Sequence, residues 1–159
     1  MANWCSNSVT LFGDENKIKQ VLDEVKLLEK KCNENHCGVT AIDENVEDRF
    51  MFEICTFNED GFDFESKWSP AFNSLRFFAM KYGITITNRY HEPGYFVYGE
   101  WQCDGDGNET DVWLEPDEYR KVEYIDEKGV YSFNGEESDY DGDFLEEILD
   151  KKLHDAWQQ

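Results

Sequence analysis

Residues 69–101 read SPAFNSLRFFAMKYGITITNRYHEPGYFVYGEW, and this stretch decides the fold. Ser69-Pro70 is a helix start: an N-cap hydroxyl, then a proline whose missing N–H is harmless at the first helical position. Phe72, Leu75, Phe78, Ala79 and Tyr82 recur at helical spacing and form one apolar stripe. Gly83 ends the helix, since glycine takes a left-handed backbone without a Cβ clash. Ile84 to Tyr90 and Tyr95 to Trp101 then read as two strands joined around Pro93-Gly94.

Working outward toward the N-terminus, residues 3–12 end in the alternating run Ser8-Val9-Thr10-Leu11-Phe12, a strand closed by Gly13. Asp14 is an N-cap for a helix to about Lys31, with Ile18, Val21, Leu22, Val25 and Leu28 on its apolar face. Arg49 to Phe57 alternates as a strand, with Phe50, Phe52 and Ile54 on one face. The turn Asn58-Glu59-Asp60-Gly61 carries it into a second strand through Phe62 and Phe64. The order β-α-β-β-α-β, with one more strand, is that of a ferredoxin-like sheet with two helices on one face. Leu22, Val25, Phe52, Ile54, Leu75 and Phe78 are its expected core.

Toward the C-terminus the pattern changes after residue 102. Cys103 to Asp111 is a Gly/Asp loop, followed by short strands at 112–114, 122–125 and 130–133 and an acidic loop at 134–143. A last helix at about 143–157 sets Phe144, Leu145, Ile148, Leu149, Leu153 and Trp157 on one stripe, with Glu147 and Lys151 spaced as an i,i+4 pair, so it docks. The expectation is an α+β protein. Residues 1–102 form a ferredoxin-like core, and 103–159 a β-rich acidic extension with a final docked helix, packed together as one compact unit.

Charge narrows the function. The chain holds 36 acidic and 15 basic residues, net −21, yet 16% of it is aromatic, so it has the material for a core. Residues 1–33 are neutral, whereas residues 101–159 carry nineteen acids against five bases, net −14. Such a surface repels nucleic acid and anionic membranes and attracts basic protein surfaces. No apolar run approaches the roughly 20 residues of a membrane span, and the N-terminus has no basic-then-apolar leader pattern. Five cysteines in no regular framework point to reduced thiols, hence to a cytoplasmic protein.

Certain residues carry a family likeness. Met1-Ala2-Asn3-Trp4-Cys5-Ser6-Asn7, Trp68-Ser69-Pro70 and Tyr90-His91-Glu92-Pro93-Gly94-Tyr95-Phe96, leading to Gly99-Glu100-Trp101, resemble the YubB-type ferredoxin-like proteins of plasmids and bacteriophages. The likeness covers residues 1–102 and leaves the acidic segment unassigned. It implies a ferredoxin-like core and residence on a mobile element, and it carries over no catalytic residue.

Chemistry-bearing clusters are few. Asn3, Trp4, Cys5 and Asn7 read as core packing and backbone-satisfying amides at a strand start. Cys32, His36 and Cys37 lack the paired spacing of a zinc site. Asp104, Asp106, Asn108 and Glu115 mimic an EF-hand count, but Glu109 stands where the sharp turn needs glycine, so no dedicated calcium site is expected. Asp139, Asp141 and Asp143 are a poorer version of the same pattern. His91-Glu92 is the one acid–base candidate, without a nucleophile or phosphate loop to serve. Phe50, Phe52 and Tyr95 stand where base-stacking aromatics would, but no basic face accompanies them. We therefore expect no enzyme, no metal, no cofactor and no direct nucleic-acid binding.

Two readings remain. In the first, the acidic surface imitates a nucleic acid and fills the basic groove of a host DNA- or RNA-handling defence complex, of restriction or CRISPR type. Same-face strand residues every 6.6–6.8 Å or so, and helix positions i and i+4 about 6 Å apart, can both approximate a phosphate row. In the second, the protein is an acidic structural or regulatory module whose partner does not bind nucleic acid. A salt-adapted surface is disfavoured, because it would acidify the first 33 residues as well. The expected contact residues are Asp104, Asp106, Glu109 and Asp111 in one loop and Glu136, Glu137, Asp139, Asp141 and Asp143 in the other. Glu146 and Glu147 on the last helix extend the second group, and all are expected to face solvent.

Overall fold

The computed structural model describes residues 3–35, 46 and 53–158. Along the chain run β1 (Trp4–Phe12), α1 (Glu15–Asn35), β2 (Glu53–Phe57), β3 (Gly61–Lys67), α2 (Phe72–Tyr82), β4 (Thr85–Glu92), a 3-10 turn (Pro93–Tyr95), β5 (Val97–Cys103) and β6 (Glu109–Trp113). Then come α3 (Pro116–Tyr119), β7 (Glu123–Ile125), β8 (Val130–Phe133), β9 (Glu136–Ser138) and α4 (Gly142–Trp157). Six antiparallel strands form one sheet in the order β2-β3-β1-β4-β5-β6, and β7-β8-β9 form a second, smaller one. The first four strands with α1 and α2 are the ferredoxin-like arrangement, extended past β4 by the β5–β6 hairpin.

Local chemistry explains the helix ends. Asp14 Oδ1 accepts from the N–H groups of Asn16 (3.0 Å) and Lys17 (3.2 Å), so it caps α1. Gly83 sits at φ 60° and ends α2 by donating to Ala79 O. The start of α2 departs from the sequence reading. Trp68 has φ 68°, the Ser69 carbonyl accepts from Ser66 Oγ at 2.7 Å, and the helix begins at Phe72 after Ala71, which makes no side-chain cap. Trp68 N–H is tied to Asn3 O (2.9 Å), so the chain's entry to the helix is set by strand contacts rather than by the Ser-Pro signal.

The two faces of the sheet are covered differently. On one, Val9, Leu11, Phe62, Phe64, Ile86 and Trp101 pack with Val21, Leu22, Val25, Leu75 and Phe78 of α1 and α2. Asn7 is buried in this layer, and its amide donates to Cys5 O (3.0 Å) and Ser66 Oγ (2.8 Å) while Asn88 donates to its oxygen (2.9 Å). Trp4, expected to pack inside, instead leaves 40% of its surface exposed, because its position on β1 faces away from the helices. Phe50 and Phe52, and the side chain of Ile54, lie outside the described residues, as do His36 and Cys37 of the cysteine cluster.

On the opposite face α4 docks. Leu145 and Leu149 pack with Tyr98, Leu114 and Tyr119 in a second apolar cluster. Arg89 of β4 fastens the helix there, donating to Glu100 of β5 (2.6 Å), Glu146 (2.7 Å) and Asp150 (2.9 Å). The boundary drawn at 102/103 from composition falls inside the β5–β6 hairpin, and β9 occupies part of the segment read as an acidic loop. Among the described residues no helix is long and apolar enough to cross a membrane.

Candidate functional site

The acidic residues named from the sequence divide by what they touch. Asp104 is a turn-former: Oδ1 accepts from the N–H groups of Asp106 and Asn108 (2.9 Å each) and Oδ2 from the Asn108 amide (2.8 Å). Those bonds hold its carboxyl below the usual aspartate range. The Asp/Gly segment is thus the tight loop of the β5–β6 hairpin, closed by Asp104 N–H to Asn108 O at 3.0 Å. Among the described residues no cluster of metal-type ligands forms. Glu109 pairs with Arg76 and accepts from Trp101 Nε1 (3.3 Å), and the Arg76 bonds depress its pKa. Asp111 accepts from the Tyr90 hydroxyl at 2.8 Å, and partial burial raises its pKa. Tyr90 gets there by lying across Gly99, where an added Cβ would meet the hydroxyl at 2.4 Å and Val112 O at 2.8 Å.

The second group is similarly mixed. Glu137 pairs with Lys128 (2.5 Å), Asp143 accepts from Ser138 (2.5 Å), and Glu146 is held by Arg89. Asp106, Glu136, Asp139 and Glu147 stand exposed. Glu147 makes no ion pair with Lys151 despite the i,i+4 spacing. Asp141 breaks the expectation that the whole group faces water: it is 8% exposed, because it opens α4 just where that helix docks on the sheet.

Asp141 belongs to a site the sequence reading did not assemble. His91 Nε2 and the Tyr119 hydroxyl are 2.7 Å apart, and the hydroxyl donates to Asp141 Oδ2 at 3.3 Å. Burial holds His91 below its ordinary pKa against the pull of Asp141 and Glu92, and burial together with Asp141 pushes Tyr119 up. Glu92 is buried beneath, where its carboxylate caps the 3-10 turn by accepting from Gly94 N (2.9 Å) and Tyr95 N (2.8 Å). That turn throws Phe96 into the left-handed region at φ 58°, a conformation uncommon without glycine.

Above Asp141 opens a cleft of about 290 Å³, walled by Phe96, Tyr119, Tyr124 and Tyr131, with Pro93, Arg120 and Val122 completing it. The rings of Tyr124 and Tyr131 lie 5.0 Å apart, those of Phe96 and Tyr119 5.4 Å. The Arg120 guanidinium stands 5.2 Å from the Phe96 centroid. His91 and Glu92 are both buried. The histidine has a tyrosine and an aspartate as neighbours, but the described residues show no activated nucleophile beside it.

No curated protein and no solved structure matches the chain. The family described as the ferredoxin-like domain in Api92-like protein matches residues 42–143, running through the acidic loops as well as the central strands. Covering more than half the chain, that match places this protein in the family of ferredoxin-like domains of Api92-like proteins.

Proposed function

We propose that this protein is a non-catalytic, acidic binding protein of a mobile element, of YubB type, acting in the host cytoplasm. It would imitate nucleic acid to occupy the basic groove of a host defence complex of restriction or CRISPR type. One observation carries the proposal: residues 101–159 hold nineteen acids against five bases, and three of those bases are already paired within the fold. The pairs are Arg120 with Asp117, Lys128 with Glu137 and Lys152 with Glu118. Arg76 and Arg89 from outside the segment hold Glu109, Glu146 and Asp150, while Asp106, Glu136, Asp139 and Glu147 stand exposed and supply the negative field. Such a field steers a basic partner and excludes phosphate. The plasmid and phage context comes from the sequence resemblance of residues 1–102.

The test is capture of partners from a bacterial lysate at low salt, eluted in parallel by a salt ramp and by duplex DNA. Recovery of a nucleic-acid enzyme that DNA displaces supports mimicry. A partner that DNA fails to displace, held equally at low and high salt, defeats it and leaves the regulatory-module reading.

A further inference from the structure

We propose that the cleft between Phe96, Tyr119, Tyr124 and Tyr131 receives one cationic side chain of the partner protein, an arginine, with Asp141 as its counter-ion. This deepens the proposed function, since it rests on a basic partner, and supplies what a diffuse acidic surface lacks: an anchor that fixes register. The first argument is Asp141. A buried carboxylate ordinarily has a cation or several donors. Here the neighbours are one tyrosine hydroxyl at 3.3 Å and a histidine, its pKa lowered by burial, with Nε2 3.7 Å away. Among the described residues no lysine or arginine pairs with it. The carboxylate nevertheless lines an open cleft.

The second argument is the walls. Four aromatic side chains line the cleft together with the Asp141 carboxylate, and aromatic surface beside a negative charge is an environment that favours a cation. Arg120 demonstrates the chemistry from within the chain, its guanidinium already seated over Phe96. It remains largely exposed and only loosely paired with Asp117 at 3.8 Å, so it can swing away. The third argument is size. At about 290 Å³ the cleft lies at the lower edge of small-molecule sites, which start near 300 Å³, and suits a single long side chain. An anion is disfavoured by Asp141 and by the net charge of the segment.

The experiment titrates the full chain with N-acetyl-arginine amide, following aromatic and amide resonances by NMR. The neutral isostere N-acetyl-citrulline amide runs beside it. Saturating shifts at Phe96, Tyr119, Tyr124 and Tyr131 are expected, with citrulline at least about tenfold weaker. Asp141→Asn should weaken arginine binding by a similar factor, and Asp60→Asn, which removes the same charge from a distant exposed turn, should not. Should Asp141→Asn fail to fold, Tyr124→Leu at an exposed wall position carries the same expectation. Arg120→Ala should strengthen binding severalfold by clearing a like charge. Equal binding of citrulline, shifts confined to the exposed carboxylates, or weaker binding in Arg120→Ala would overturn the assignment. Those failures leave DNA-displaceable, salt-sensitive capture intact, so the anchor and the mimic stand or fall separately.

Discussion

The Tyr119 hydroxyl lies 2.7 Å from His91 Nε2, joining the end of β4 to the short helix α3 at the floor of the cleft. Neither residue could be charged cheaply there, and this gives the protein a pH dependence with a definite sign. His91 has a lowered folded pKa, so as pH falls below the ordinary histidine value of about 6.5 the unfolded chain takes up the proton first. Stability is then present above that pH and lost as pH falls toward the folded pKa. Wild type should lose melting temperature between about pH 7 and 5.5, and His91→Asn should lose less over the same range. The carboxylates held low, Asp104, Glu109 and Glu118, act only below about pH 4.5 and do not blur this window. Parallel pH profiles for the two proteins would refute the argument.

Packing on the two faces of the sheet should be separable. Phe78 is fully buried under α2, and Leu149 is fully buried under α4. Replacing either by Ala should cost on the order of 3–5 kcal/mol by chemical denaturation. Leu149→Ala should also raise hydrogen exchange through α4 and the small sheet more than through β1 and β3. Uniform exchange in both variants would show that α4 does not open independently of the ferredoxin-like layer.

Metal should be dispensable. The Asp104 carboxylate is already spent on the hairpin loop, with three bonds to Asp106 and Asn108. EDTA should leave the melting temperature within about 2 °C, a shift equivalent to about 0.5–1 kcal/mol. A large loss restored by one equivalent of calcium or zinc would overturn this expectation.

These particulars show what the sequence could and could not reveal. Asp14, Gly83 and the alternation of β1 act through neighbours in the chain, so their roles were legible from local pattern. Ser69-Pro70 carries the pattern of a helix start, but Trp68 N–H is bound to Asn3 O at the start of β1, a long-range contact, and the helix begins at Phe72. Asp141 sits in the run Asp139-Tyr140-Asp141-Gly142-Asp143, which reads as solvent-exposed. Only the docking of α4 on the sheet buries it. The cleft draws on residues 93–96, 119–131 and 141, and no periodicity links positions so far apart. The aromatic residues and His91-Glu92 stand in the sequence, but their convergence depends on the β4–β5 turn meeting α3 and the small sheet.

The same sorting changes what neutralising the acidic surface should do. Asp104, Glu109 and Asp111 bind the hairpin loop, Arg76 and Tyr90, so they contribute to the fold. Asp106, Glu136, Asp139 and Glu147 are exposed and can be neutralised without disturbing those contacts. The variant Asp104/Glu109/Asp111→Asn/Gln/Asn should therefore lose stability, read as a lowered melting temperature. Its partner binding should fall partly for that reason. The variant Asp106/Glu136/Asp139/Glu147→Asn/Gln/Asn/Gln should melt as wild type does. Its partner association should nevertheless slow, because steering depends on summed charge and not on any one pair. Each exposed charge alone is worth about 0–1 kcal/mol, so single substitutions should be nearly silent. The deficit of the fourfold variant should also shrink as salt rises, since screening acts within about 10 Å at 0.1 M. Association rates measured at two salt concentrations, with melting curves alongside, decide it. If the fourfold variant binds as wild type at low salt, the exposed acidic surface does not steer the partner, and recognition passes to the aromatic cleft.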